Sequence, residues 1–216
     1  MTRVWDGPTR LVHWAIVVLL GTSWWTAEIR EMDWHQRSGL MLGALLVFRI
    51  VWGFVGGSTA RFGQFLEGPG AVLAYLKSAG PWRGLGHNPL GAWSAVALLL
   101  VLAVQIVAGL FAVDVDGIES GPLSYLVDFD QGRAAAGFHE TTFNLLLALA
   151  ALHIAAILFY LVVRKRNLIG AMVTGSAPAG RVEPGTGLVQ ASPWRLALAA
   201  GVALLLTWAV WKGFQF

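Results

Sequence analysis

Two histidines, His139 and His153, sit fourteen positions apart inside one long apolar stretch, GFHETTFNLLLALAALHIAAILFYLVV. Fourteen residues of α-helix make almost four turns, so both imidazoles leave the same face. At a rise of about 1.5 Å per residue they are separated by roughly 21 Å along the axis. The hydrocarbon core of a bilayer is about 30 Å thick. A helix crossing it therefore carries one of these histidines toward each side. Ionisable side chains are costly inside a membrane helix and are usually functional. Two stacked imidazoles suit two redox cofactors, one near each surface.

Such a helix needs neighbours, and the composition supplies them. Of the 216 residues 56% are hydrophobic and only 12% are charged, which places the chain among helical membrane proteins. Five apolar segments approach spanning length, at about residues 10–28, 36–57, 90–113, 137–163 and 194–212. The first is too long and uninterrupted for a cleaved signal peptide and is expected to persist as a helix. Trp5, Trp14, Trp24, Trp25, Trp34, Trp82, Trp194 and Trp211 fall at segment ends, as an interfacial belt would. The expected fold is an all-α integral membrane protein. A four-helix transmembrane bundle (1–175) holds two cofactors, a flexible cytoplasmic linker follows (176–193), and a fifth, C-terminal transmembrane helix ends the chain (194–216).

Charge sets the orientation. With the N-terminus inside, the cytoplasmic segments hold Arg3, Arg10, Arg61, Lys77, Arg83, Arg164, Lys165, Arg166, Arg181 and Arg195; the other side holds Arg30, Arg37, Arg133 and Lys212. This is a positive-inside bias. Nine of the twelve carboxylates fall outside, including Glu28, Glu140 and the acids of the loop after the third segment. The net charge of +3 hides that split. There is no cysteine, which excludes thiolate-ligated clusters, covalent c-type haem and blue copper. No phosphate loop or dinucleotide fingerprint is present, and the basic residues mark topology rather than nucleic acid.

The remaining histidines match the two levels. His35 opens the second segment on the outer side, near the level of His139. His13 lies near the inner end of the first, near the level of His153. Two bis-histidine haem b groups account for all four, since iron takes axial imidazoles on opposite faces of the porphyrin. The plainer reading of any one of them is a hydrogen bond between helices. His87, in the connector before the third segment, is not read as an axial ligand. It is open to solvation, contact with a haem propionate, or a place in a quinone site. Gly21, Gly39, Gly43, Gly91, Gly109 and Gly137 let helices or a porphyrin approach closely, or are ordinary small residues at helix contacts.

The pieces VWDGPTRLVHW, WHQRSGLMLGALLVFRIVWGFVG, ARF at 60–62, GHNPLGAWS and GFHETTFNLLLALAALHIAAILFY resemble the prokaryotic cytochrome b561 family, over about residues 3–175. That family includes the b-type cytochrome subunits of membrane-bound nickel–iron hydrogenases. The resemblance implies two haem b groups, metal ligands at His13, His35, His139 and His153, and no catalytic residue in the chain itself. It implies electron relay in the bacterial inner membrane between ubiquinone or menaquinone and a periplasmic cytochrome or redox enzyme. A hydrogenase cytochrome subunit and a stand-alone superoxide:quinone oxidoreductase are the alternatives. The outer acids weigh against steering an anion such as superoxide. Arg49, deep in the second segment, needs an anion: a haem propionate or a semiquinone oxygen, unless it snorkels. Arg10, Arg61 and Arg83 hold inner propionates or simply set topology. Asp6, His87 and Asn88 are candidates for proton transfer at an inner quinone site. Glu140 is expected to turn about 100° away from His139, toward solvent.

Overall fold

The computed structural model describes residues 1–78, 82–116, 119–183 and 187–213. The remaining pieces of the connector, the outer loop, the linker and the C-terminus (79–81, 117–118, 184–186 and 214–216) lie outside the described residues. Eight helices form among the described residues: α1 (Gly7–Glu28), α2 (Met32–Val55), α3 (Phe62–Phe65), α4 (Pro69–Lys77), α5 (Pro89–Phe111), α6 (Phe129–Val162), α7 (Leu168–Thr174) and α8 (Pro193–Trp211). Two short strands, β1 (Thr2–Arg3) and β2 (Ser176–Ala177), pair antiparallel.

Local chemistry sets where the helices begin. Asp6 caps α1, its Oδ1 accepting from the Thr9 amide at 2.7 Å. Asn88 caps α5 through the Gly91 amide at 2.7 Å, with Pro89 at the first helical position. Asn167 caps α7 in the same way through Gly170. Asp128 and Gln131 form a reciprocal capping box: the Gln131 amide donates to Asp128 Oδ1 (2.8 Å) and the Asp128 amide to Gln131 Oε1 (3.3 Å). That box starts α6 at Phe129, earlier than the apolar run at 137 suggests, and α6 reaches 34 residues.

α2, α5, α6 and α8 are long and apolar enough to cross a membrane. α1, expected as the first span, is not among them, although it has 22 residues. It carries Thr9, Arg10, His13, Thr22, Ser23 and Thr26. Part of that polarity is satisfied within the helix: Thr22 Oγ1 donates to the Val18 carbonyl and Thr26 Oγ1 to that of Thr22.

The chain divides into two compact units. The first comprises Met1–Val12, Arg49–Ala97 and Ala150–Ala199, and the second His13–Phe48, Leu98–Leu149 and Ala200–Phe216. In the first, Val4, Ala171 and Val182 form a buried cluster with Trp5, Leu85 and Ala177 against it. The β1–β2 pairing belongs here, so the start of the expected linker is tied to the N-terminus. In the second, Leu46, Leu102 and Leu146 are buried together beneath Ile16, Leu20 and Ile106, so stretches of α1, α2, α5 and α6 share one core. The units also divide the charge. The second holds nine carboxylates against four Lys and Arg, the first three against eleven.

The capping box is testable. Asp128→Ala should cost about 1 kcal/mol of stability, read as a lowered midpoint in thermal unfolding of the detergent-solubilised protein followed by circular dichroism. An unchanged midpoint would remove the box as the reason α6 starts so early.

Candidate cofactor site

The second unit brings His35 and His139 together. Their ring centroids are 6.0 Å apart and their planes nearly perpendicular, at 88°. Each ring is half-buried and held from behind by a backbone carbonyl. His35 Nδ1–H donates to the Ser23 carbonyl at 2.9 Å, and Ser23 Oγ lies 3.2 Å from the same nitrogen. His139 Nδ1–H donates to the Gln105 carbonyl at 2.8 Å. A carbonyl can only accept, so Nδ1 carries the proton in each ring and Nε2 keeps its lone pair in the neutral form. Gln105 also sends its side-chain amide to within 3.1 Å of His139 Nε2. Its Oε1 accepts from Thr142 Oγ1.

Both histidines line a cavity of about 420 Å³ in this unit. Its wall is largely apolar, with Leu20, Leu42, Leu102 and Ile106, and size and lining are those of a cofactor or ligand pocket. Two glycines shape it. A Cβ on Gly109 would lie 2.7 Å from His139 Cε1, so only glycine lets that ring lie against α5. Gly39 also lines it, and a Cβ there would meet nothing within 4 Å. Glu28 and Glu140 are also in the wall. Glu140 is exposed, as its expected turn from His139 implies, yet it still borders the cavity.

The other two histidines fall in different units. His13 is half-buried in the second, edge-on to Trp14 with centroids 5.1 Å apart. His153 is half-buried on α6 in the first.

The first unit gathers the remaining residues of interest. Arg49 is buried, donates to the Ala60 carbonyl at 3.3 Å and lies 5.1 Å from the Phe62 ring centroid. Asp6 supplies a countercharge nearby, fixed by Trp52 Nε1 at 3.1 Å as well as by the α1 cap. Arg10 donates from Nη1 to the Val173 carbonyl at 2.6 Å. Arg10 Nε and Arg61 Nε are buried without a hydrogen-bond partner. His87 is half-buried between Trp5 and Phe65, 4.7 Å from each ring, rather than solvated. Asn88 Nδ2 donates to Tyr160 Oη at 2.9 Å, and Tyr160 hydrogen-bonds Tyr75.

Ser23, Gln105, Thr142, Tyr75 and Tyr160 were not among the residues the sequence singled out. Ser23 and Gln105 orient the imidazoles through their carbonyls, for which side-chain type is no signal, although their side chains approach the same rings. The Tyr75–Tyr160 bond joins α4 to α6 across eighty-five positions of sequence.

Fold and site together define an α-helical membrane protein with a histidine-lined cavity. The family model of prokaryotic cytochrome b561 matches residues 4–175, and the chain belongs to that family. It is a haem-b-binding bacterial membrane protein of electron transfer. No curated protein and no solved structure matches it.

The tyrosine pair gives a pH prediction. Burial, then the hydrogen bond to Tyr160, push the Tyr75 phenol up to about 12. The folded state therefore favours the neutral phenol. That contribution to stability is complete below the ordinary tyrosine value of about 10 and is lost as pH rises through about 12. Tyr160→Phe should bring the Tyr75 titration back toward the ordinary value in an alkaline ultraviolet difference titration. A Tyr75 transition unmoved by that change would contradict the assignment.

Proposed function

We propose that the chain is a dihaem cytochrome b relaying electrons between the quinone pool and a periplasmic redox partner such as a c-type cytochrome. The observation that carries this is the His35–His139 pair. Two imidazoles bound to one metal from opposite sides, through bonds of about 2 Å, place their ring centroids roughly 6 Å apart. The observed separation is 6.0 Å, with each Nδ1 already engaged by a carbonyl. Metal-bound histidines commonly have their second nitrogen engaged in this way. Haem b bound here supplies one-electron transfer.

His35 and His139 are the ligands of the outer haem, and His13 and His153 those of the inner one. Ser23 and Gln105 orient the outer pair, Gly109 admits the His139 ring, and the apolar wall keeps water from the iron. Arg10 and Arg61, each with a buried Nε in want of an acceptor, suit haem propionates in the first unit. Arg49 and His87 border the inner quinone site, where Asn88, Tyr160 and Tyr75 form a hydrogen-bonded chain able to hold protons. Quinone and quinol differ by two electrons and two protons, so the inner haem exchanges electrons with the quinone one at a time, as the outer haem does with the partner.

α1 is the first of five spans, the hydroxyls of Thr22 and Thr26 satisfied by its own carbonyls. The excess of lysine and arginine in the segments on the N-terminal side supports an inner-membrane protein with a cytoplasmic N-terminus. The outer segments, rich in carboxylates, then face the periplasm and suit a basic partner surface. Glu28 and Glu140 in the cavity wall favour this partner over an anionic substrate such as superoxide. A hydrogenase subunit would share the same core.

His35→Ala and His139→Ala should each lose the outer haem while retaining the inner, and His13→Ala and His153→Ala the reverse, measured as haem per polypeptide. Haem content equal to wild type in all four variants would sink the assignment. Electron exchange with a lysine-rich c-type cytochrome should slow as ionic strength rises over about 0.01–0.15 M, because screening shortens the reach of the acidic surface. A rate indifferent to salt would point to another partner.

A further inference from the structure

The two imidazoles of the second unit are held differently. Among the described residues, His139 Nδ1–H has one acceptor, the Gln105 carbonyl at 2.8 Å. His35 Nδ1–H has two, both from Ser23: the carbonyl at 2.9 Å and Oγ at 3.2 Å. The direction of that hydroxyl is unusual in this chain. Thr22, Thr26, Thr141, Thr142 and Thr207 each turn Oγ1 back to the carbonyl four positions earlier. Ser23, in the same helix as the first two, turns Oγ to the imidazole instead. It is buried, so bulk water does not compete for the contact. Its carbonyl is also shared, since Thr26 Oγ1 donates to it at 3.1 Å. The hydroxyl therefore adds an acceptor where the carbonyl is divided between donors. We propose that the Ser23 hydroxyl, as second acceptor for His35 Nδ1–H, lowers the midpoint potential of the outer haem.

This rests on the reading of His35 and His139 as the outer-haem ligands. Both Ser23 contacts are made at Nδ1, and Nε2 is the nitrogen left for iron, so the contacts and ligation do not compete. An acceptor on Nδ1–H raises the basicity of the ligating nitrogen. A more basic ligand favours ferric over ferrous iron, because the ferric ion carries the extra positive charge. Reduction adds one electron to the iron, supplied by the quinone pool or the partner, and the proton stays on Nδ1. Ser23 is thus a positioning residue that acts only through His35. His139 lacks such a hydroxyl at Nδ1, so the two ligands of one iron differ in strength, His35 being the stronger donor.

The test is a spectroelectrochemical titration of the full chain, purified in detergent with its haem, for wild type and Ser23→Ala. The substitution removes the hydroxyl and leaves the carbonyl. One of the two haem waves should move to higher potential and the other should stay. The ratio of reduced to oxidised outer haem at a fixed potential should rise roughly threefold, which is about 30 mV at about 59 mV per tenfold for one electron. The wave that moves should be the one absent from His35→Ala. A merely structural role for Ser23 would lower haem content or move both waves together, and either result overturns the proposal. So does an unmoved wave, a shift to lower potential, or movement of the wave that His35→Ala retains. If Ser23→Ala does not assemble, Ser23→Gly, which also lacks the hydroxyl, is read by the same criteria. A His35→Ala protein that keeps both low-spin haems would instead sink the ligand reading itself, and the role of Ser23 would fall with it.

Discussion

The site turns on the hydrogen bond that each imidazole makes behind itself. An Nδ1–H in an apolar helix interior must find an acceptor or lose several kcal/mol of solvation. Leucine and alanine neighbours offer none. For His139 the acceptor is a carbonyl on α5, and for His35 a carbonyl on α1. A helix interior normally uses its carbonyls in its own ladder, so these two carry bonds beyond it, and the Ser23 carbonyl also accepts from Thr26 Oγ1 at 3.1 Å. Each such bond fixes a tautomer, a ring direction and a helix contact together. Gly109 is the steric counterpart, because the His139 ring occupies the space its side chain would take.

From that constraint follows the division of labour among the helices. α2 and α6 carry the imidazoles, while α1 and α5 hold them still. The Leu46, Leu102 and Leu146 cluster joins stretches of all four and keeps the carbonyls at bonding distance. The polar residues that lower the apolar character of α1 include Ser23, whose carbonyl and hydroxyl both face His35. The polar residues of α1 thus include one that holds the His35 ring.

Much of this was legible in the residues, and the limits have physical causes. Apolar runs longer than eighteen residues marked α2, α5, α6 and α8, because a membrane span has few alternatives to a helix. The position of His35 at the start of α2, read against His139 in α6, anticipated their meeting. The early start of α6 was missed because the eye follows hydrophobicity, whereas Asp128 and Gln131 begin the helix by hydrogen bonding before the apolar run. Arg49 was assigned a cofactor anion or a snorkelling path; its nearby countercharge is Asp6, forty-three positions earlier and recognisable only once α1 and α2 are placed. The β1–β2 pairing joins residues more than 170 positions apart with no pattern in either to announce it.

Haem per polypeptide, by pyridine haemochrome with reduced-minus-oxidised spectra on the detergent-purified protein, tests the central claim most directly. Two low-spin haem b groups per chain are predicted, one for each pair of histidines. One haem per chain would contradict the two-level site. None, with haem supplied in excess during expression, would return the histidines to helix packing.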